Sequence, residues 1–179
     1  DFREQLSAFD KYFYFGKFNS TTTLKSKQDV LRKYSLYIKN NIENTGRKDF
    51  FKRRVTKNIK LNKIELASVC SILGKKYNEC HLLFHNFYNE EGVTVYFVTT
   101  NLKYSEAYAG RGEFAVVKLV YEVLNAPHHS LVILDEPEVS LHPGAQEALK
   151  LFLLKQTLSK KLQIIISTHS SKLVEFLPD

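Results

Sequence analysis

The sequence predicts an α/β chain: a parallel-sheet part, with a β-hairpin and a basic, mainly α-helical segment in front of it. Three observations lead there. Two short apolar runs, Leu131-Val-Ile-Leu134 and Leu162-Gln-Ile-Ile-Ile166, bracket a stretch in which Ala145, Ala148, Leu149, Phe152 and Leu153 recur at helical spacing. Strand, helix and strand joined by a connection of that length make a parallel crossover. Two further runs, from Glu79 to Phe87 and from Val93 to Thr99, flank the turn residues Asn89-Glu-Glu-Gly92 and read as a hairpin. Charge is divided unevenly: residues 1–62 hold 15 lysines and arginines against 6 acids, whereas residues 63–179 hold 11 against 13, within a total of +7. The chain is therefore expected to divide into a basic front, 1–62, and a nearly neutral α/β part, 63–179.

Taken in order, residues 1–18 are rich in aromatics: Phe2, Phe9, Tyr12, Phe13, Tyr14, Phe15 and Phe18. They read as buried payload more readily than as a platform for stacking bases. A polar connector, Asn19 to Thr23, precedes a helix expected from about Lys27 to Asn40, with Val30, Leu31, Tyr34 and Ile38 on one face. From Arg47 to Lys60, Phe51, Val55 and Ile59 fall at i, i+4 and i+8 among seven cationic side chains, which predicts a second, cationic helix. Such a face suits nucleic-acid phosphate or a protein partner, and the pattern leaves both open. Lys63 to Lys75 reads as a helix closed by Gly74. Cys80, His81 and His85 are not read as a zinc site, which would want four ligands at paired spacings.

With two cysteines in 179 residues, a disulfide framework is not expected and a reducing cytosol fits. No run is long enough to span a membrane and no secretory signal opens the chain, so a cytoplasmic protein is expected. There is no methionine at all, which reads as a fragment of a longer protein.

The chemistry gathers at strand ends. The first apolar run ends on Asp135-Glu136 and then Pro137, which cannot continue a ladder. Buried charge needs a partner, and paired carboxylates suit a hard cation such as Mg2+ completed by phosphates. The second run ends in Ser167-Thr168-His169-Ser170. In a parallel sheet both ends emerge on one edge, where ligands bind, so Asp135, Glu136 and His169 should lie together.

At these residues a resemblance emerges. Leu131 to Pro143, LVILDEPEVSLHP, resembles the Walker B motif and D-loop of an ABC-type ATPase, and Ile164 to Ser170, IIISTHS, resembles its switch-histidine strand. Ala109-Gly110-Arg111-Gly112-Glu113, opening a predicted helix with Val116, Val117, Leu119, Val120 and Val123 inward, stands where the signature belongs. The similarity is to the non-transporter branch: SMC and RecF-like heads, overcoming-lysogenization-defect ATPases, and the ATPases of Septu-type and retron-associated antiphage systems. It covers 105–179 firmly and 63–104 loosely. No G-x-x-x-x-G-K-[ST] phosphate loop occurs in the chain, so the resemblance implies the second half of an ATPase head.

The resemblance implies roles. Asp135 would hold Mg2+, Glu136 would activate the water that attacks the γ-phosphate, and His169 would sense that phosphate. Gly110, Arg111, Gly112 and Glu113 of the signature, with Ser140 and His142 of the D-loop, would contact ATP across a dimer of two copies. Here Gly110 replaces the usual signature serine and Arg111 separates the glycines; Ser105 is a candidate source of the missing hydroxyl. The implied function is an ATP-hydrolysing subunit that dimerises around ATP and regulates a nuclease or another partner acting on nucleic acid, in antiphage defence. The alternatives are a DNA-repair ATPase, a nucleotide-dependent scaffold, and a metal-dependent nuclease in which Asp135, Glu136 and His169 ligate the metal. A transporter is disfavoured because Leu-Ser-Gly-Gly-Gln is absent.

Overall fold

The computed structural model describes residues 55–85, 91–106 and 108–175, which form six strands and four helices in two compact units. One unit, with residues 55–60, 78–85, 91–106 and 108–109, is an antiparallel meander. Its strands β1 (Val55–Lys60), β2 (Glu79–His85), β3 (Gly92–Val98) and β4 (Lys103–Ser105) pair in sequence order. Glu79 faces Val98 and His85 faces Gly92, so the expected hairpin is present; residues 86–90 of its connection lie outside the described residues. Cys80, Leu82, Leu83, Val93, Val95, Tyr96 and Phe97 are buried. Neighbouring positions are buried in succession, so β2 and β3 are covered on both faces.

The helix expected over Arg47–Lys60 is corrected in its described part. Val55–Lys60 is a strand paired with β2, from Lys57 opposite Phe84 to Lys60 opposite His81. Spacing at i, i+4 and i+8 satisfies period 2 as well as period 3.6, and the β-branched Val55, Thr56 and Ile59 favour the pleated alternative once a partner strand is at hand. The first residues of that segment, the aromatic front and the helix expected over 27–40 lie outside the described residues. On this sheet His81 stands between the Asn58 side-chain oxygen (3.0 Å) and Glu79 (3.2 Å), and Glu79 also meets Lys60 at 2.6 Å. Lys60 first, and then His81, hold the Glu79 carboxyl below its ordinary range.

The other unit comprises residues 61–77 and 110–175. Helix α1 (Lys63–Leu73) packs against α2 (Arg111–Asn125) and α3 (Pro143–Lys160); strands β5 (Leu131–Asp135) and β6 (Gln163–Ser167) and the short α4 (Ser171–Val174) complete it. Asn62 starts α1 with a capping box: its side chain accepts from the Ile64 and Glu65 amides, and Glu65 accepts from the Asn62 amide. Gly74 ends α1 at φ 62°, the left-handed cap that glycine adopts without penalty. The predicted inner face of α2 is buried throughout. On α3, Ala145, Leu149, Phe152 and Leu153 are buried and Ala148 is half-buried.

Strands β5 and β6 are parallel, with Leu131 opposite Gln163 and Asp135 opposite Ser167, as the crossover requires. Strand β5 is buried on one face only. Leu134 is buried, whereas Leu131, Ile133 and, on β6, Ile165 are exposed. Side chains alternate across a strand, so the exposed Leu131 and Ile133 share one face. Among the described residues no helix is long and apolar enough to cross a membrane.

Candidate functional site

The parallel register brings the C-terminal ends of β5 and β6 side by side, and the acids Asp135, Glu136 and Glu138 meet residues 167–169 there. Asp135 Oδ1 accepts a short hydrogen bond from the Ser167 hydroxyl. Glu136 Oε1 lies 3.3 Å from His169 Nε2. Glu138 Oε1 accepts from the Thr168 hydroxyl and from the His169 amide (3.2 Å). The pairing of Asp135, Glu136 and His169 predicted from the sequence is thus found at one sheet edge.

The backbone here is set by the ladder and then bent away from it. The Glu136 amide extends the strand pairing by donating to the Ser167 carbonyl at 2.9 Å, but Glu136 itself takes φ 43°. A left-handed non-glycine residue is uncommon, costs roughly 1–3 kcal/mol, and persists only where its surroundings enforce it. Pro137 ends the ladder, and two tight turns follow, Val139 N to Glu136 O (3.1 Å) and Leu141 N to Glu138 O (2.9 Å). Ser140 is also left-handed, at φ 70°. This turn carries the Glu136 carboxyl to within reach of His169, whose side chain is 90% exposed while that of Glu136 is 21% exposed. The imidazole is therefore open to an incoming group while its Nε2 stays beside an acid.

His142 is the N-cap of α3: its Nδ1 accepts from the Ala145 amide at 3.2 Å, and Pro143 occupies the first helical turn. Gly110 is the N-cap of α2, and Glu113 Oε2 accepts from the Gly110 amide at 2.7 Å. The other oxygen of that buried carboxyl accepts from Tyr77 (2.5 Å) and pairs with Lys75 (3.1 Å). Arg111, the first residue of α2, is exposed. Gly112 meets the turn after β5 directly. A Cβ there would sit 2.7 Å from the Ser140 carbonyl oxygen and 2.8 Å from Leu141 Cδ2, so only glycine allows α2 to approach so closely. Ser105, the last residue of β4, is fully buried in the other unit.

Several residues that matter to this geometry were not singled out in the sequence. Glu138, Thr168, Ser170 and Gln146 form a polar chain around His169, and Ser167 meets Asp135 beside it. The available signal was a third acid two residues after Glu136, and hydroxyls on both sides of His169.

The donor set at the strand ends is all oxygen: the Asp135 carboxylate with the Ser167 hydroxyl beside it. That fits Mg2+, which takes one or two protein oxygens and completes its shell with water and phosphate. A parallel strand pair with this acid, acid and histidine edge is compatible with an ATPase-like half-domain. Residues 99–175, under half of the chain, match the family model described as "AAA domain, putative AbiEii toxin, Type IV TA system". Such a domain implies nucleotide binding and suggests ATPase activity. No curated protein matches the chain.

Proposed function

We propose that the chain contributes the hydrolytic half of an ATPase site that closes on a second copy of itself around ATP and regulates a partner acting on nucleic acid, a nuclease in the first instance, within the cytoplasm. The reading rests above all on the Glu136–His169 pair at 3.3 Å, with Asp135 and Ser167 alongside. Glu136 is the general base: its carboxylate, at the open edge of the sheet, takes the proton of the attacking water. His169, exposed and held beside that base, donates to the γ-phosphate and so reports its presence. Asp135 and Ser167 would hold Mg2+, which when bound neutralises charge on the phosphates.

The start of α2 supports the shared site. Gly110 and Gly112 flank Arg111 at the start of a fifteen-residue helix, and the helix dipole favours an anion there. Arg111 adds an exposed cation. We assign these three, with Ser140 and His142 across from them, to ATP bound by the other copy, and Glu113 to fixing the helix start. A role in antiphage defence follows from the resemblance of the motifs.

The test is Glu136→Gln in the full-length protein. It keeps size and hydrogen bonding but removes the base, so turnover should fall on the order of a hundredfold to ten-thousandfold, with ATP binding retained. Unchanged turnover would sink the assignment.

A further inference from the structure

Glu138 is buried, 6% exposed, yet it is a carboxylate in the turn between two strand ends. Burying an acid is costly unless it is well paired. Its pairing is all directed at one place. Oε1 accepts from both the Thr168 hydroxyl and the His169 amide, while Oε2 is buried without a hydrogen-bond partner among the described residues. The Thr168 hydroxyl is used twice, since it also accepts from the Ser170 amide at 2.9 Å. A second arm runs in parallel. Ser170 donates to Gln146 Oε1 (2.6 Å), and Gln146 Nε2 donates to the Leu141 carbonyl at 2.9 Å. Glu138 and Gln146 thus tie the turn 136–141 to the segment 168–170 from both sides of His169. Within that turn, the Ser140 carbonyl lies against Gly112 at the head of α2.

We propose that Glu138 is a positioning residue that latches the turn after β5 to the His169 segment, setting the Glu136–His169 distance and passing any movement of His169 to the Ser140–Gly112 contact. The inference rests on the ATPase reading for its consequence and on hydrogen bonds alone for the latch. The His169 amide is held by Glu138 and its ring lies beside Glu136, two acids on the same turn. A shift of the His169 backbone therefore pulls on that turn, whose Ser140 carbonyl lies against Gly112.

Two measurements on the full-length protein separate the latch from its consequence. Amide exchange at His169, Val139 and Leu141 should quicken together in Glu138→Ala and in Thr168→Val, and the double variant should be no faster than either single one, as for partners in one contact. The preference for ATP over ADP should fall roughly tenfold or more in both, the scale at which supporting partners of a site act. Glu138→Gln can keep its carbonyl oxygen on Thr168 and the His169 amide, so it should stay within about threefold of the parent. General loosening would weaken ATP and ADP alike and leave the ratio unmoved, and that outcome overturns the proposal. So does exchange that quickens in the turn but not at His169, or effects of the single variants that simply add. Should Glu138→Ala fail to fold, Thr168→Val and Glu138→Gln decide the same question. A parent protein with no preference for ATP would refute the ATPase reading, while exchange at His169 would still decide the latch.

Discussion

At the scale of single residues, the two glycines of the α2 start have different reasons to be there. Gly110 takes φ −68°, which any residue adopts, and a Cβ there would meet only Glu113 Oε2, at 3.6 Å. Gly112 has a backbone carbonyl 2.7 Å from where its Cβ would be, and a backbone atom cannot swing aside as a side chain can. Gly112→Ala should therefore destabilise the fold by about 1–3 kcal/mol, as overpacking does. Gly110→Ser should be neutral, or stabilising by a few tenths of a kcal/mol through N-capping. Urea unfolding of the two variants checks this, and a neutral Gly112→Ala would show that α2 and the Ser140 turn are not in such close contact. The serine usual in the signature is thus sterically acceptable at Gly110, and no packing constraint explains its replacement. Glu136, at φ 43°, is the converse case: a non-glycine residue held in the left-handed region where the acid is needed.

At the scale of elements, each helix end has its own solution. α1 has a capping box and a glycine, and Glu65 of that box also accepts from Asn125 near the end of α2, at 2.9 Å. α2 has no basic residue in its last turn. Its terminal carbonyls are satisfied from a distance by Lys160, at the end of α3, which donates to Leu124 (2.8 Å), Ala126 (2.5 Å) and Val123 (3.3 Å). Lys160→Met keeps much of the aliphatic stem and removes all three bonds. It should cost about 1.5–3 kcal/mol, the range for hydrogen bonds to a charged group, measured as a shift in the urea midpoint at constant slope. A midpoint that stays put would mean that water serves those carbonyls equally well. Because α2 begins at Gly110 and ends on Lys160, the same change should also speed amide exchange at the end of α2 before it affects the start.

At the scale of the whole molecule, the basic character lies at the front and the candidate site in the near-neutral remainder. If Arg47–Lys60 meets phosphate backbone, affinity of the full-length protein for duplex DNA should fall steeply with salt. Each phosphate contact contributes roughly 0.9 to the log–log slope, so replacing Lys52, Arg53 and Arg54 with glutamine should flatten it by about two to three units. ATP turnover should change little. An unchanged slope would end the nucleic-acid role of this segment and leave a protein partner as its target. In its described part the segment is an edge strand, in which Thr56, Lys57 and Lys60 are exposed. Lysines on an edge also discourage unwanted strand pairing.

How much of this was legible in advance depended on the range of the interaction. The β5–α3–β6 crossover, the α1 boundary at Gly74, the buried face of α2 and the hairpin were readable because each is written in local periodicity and turn residues. The adjacency of Asp135, Glu136 and His169 was readable too, since parallel strands bring their C-terminal ends to one edge. Val55–Lys60 was not, because its spacing satisfies both periods and only β2, nineteen or more positions further on, selects the strand. Nor was the use of Glu138: nothing local says that this acid is the buried one, turned onto Thr168 and His169 thirty residues away. The covering of only one face of β5 and the need for glycine at Gly112 were likewise decided in three dimensions. Periodicity and strand polarity are properties of the chain itself, whereas burial and close approach exist only once distant segments have packed together.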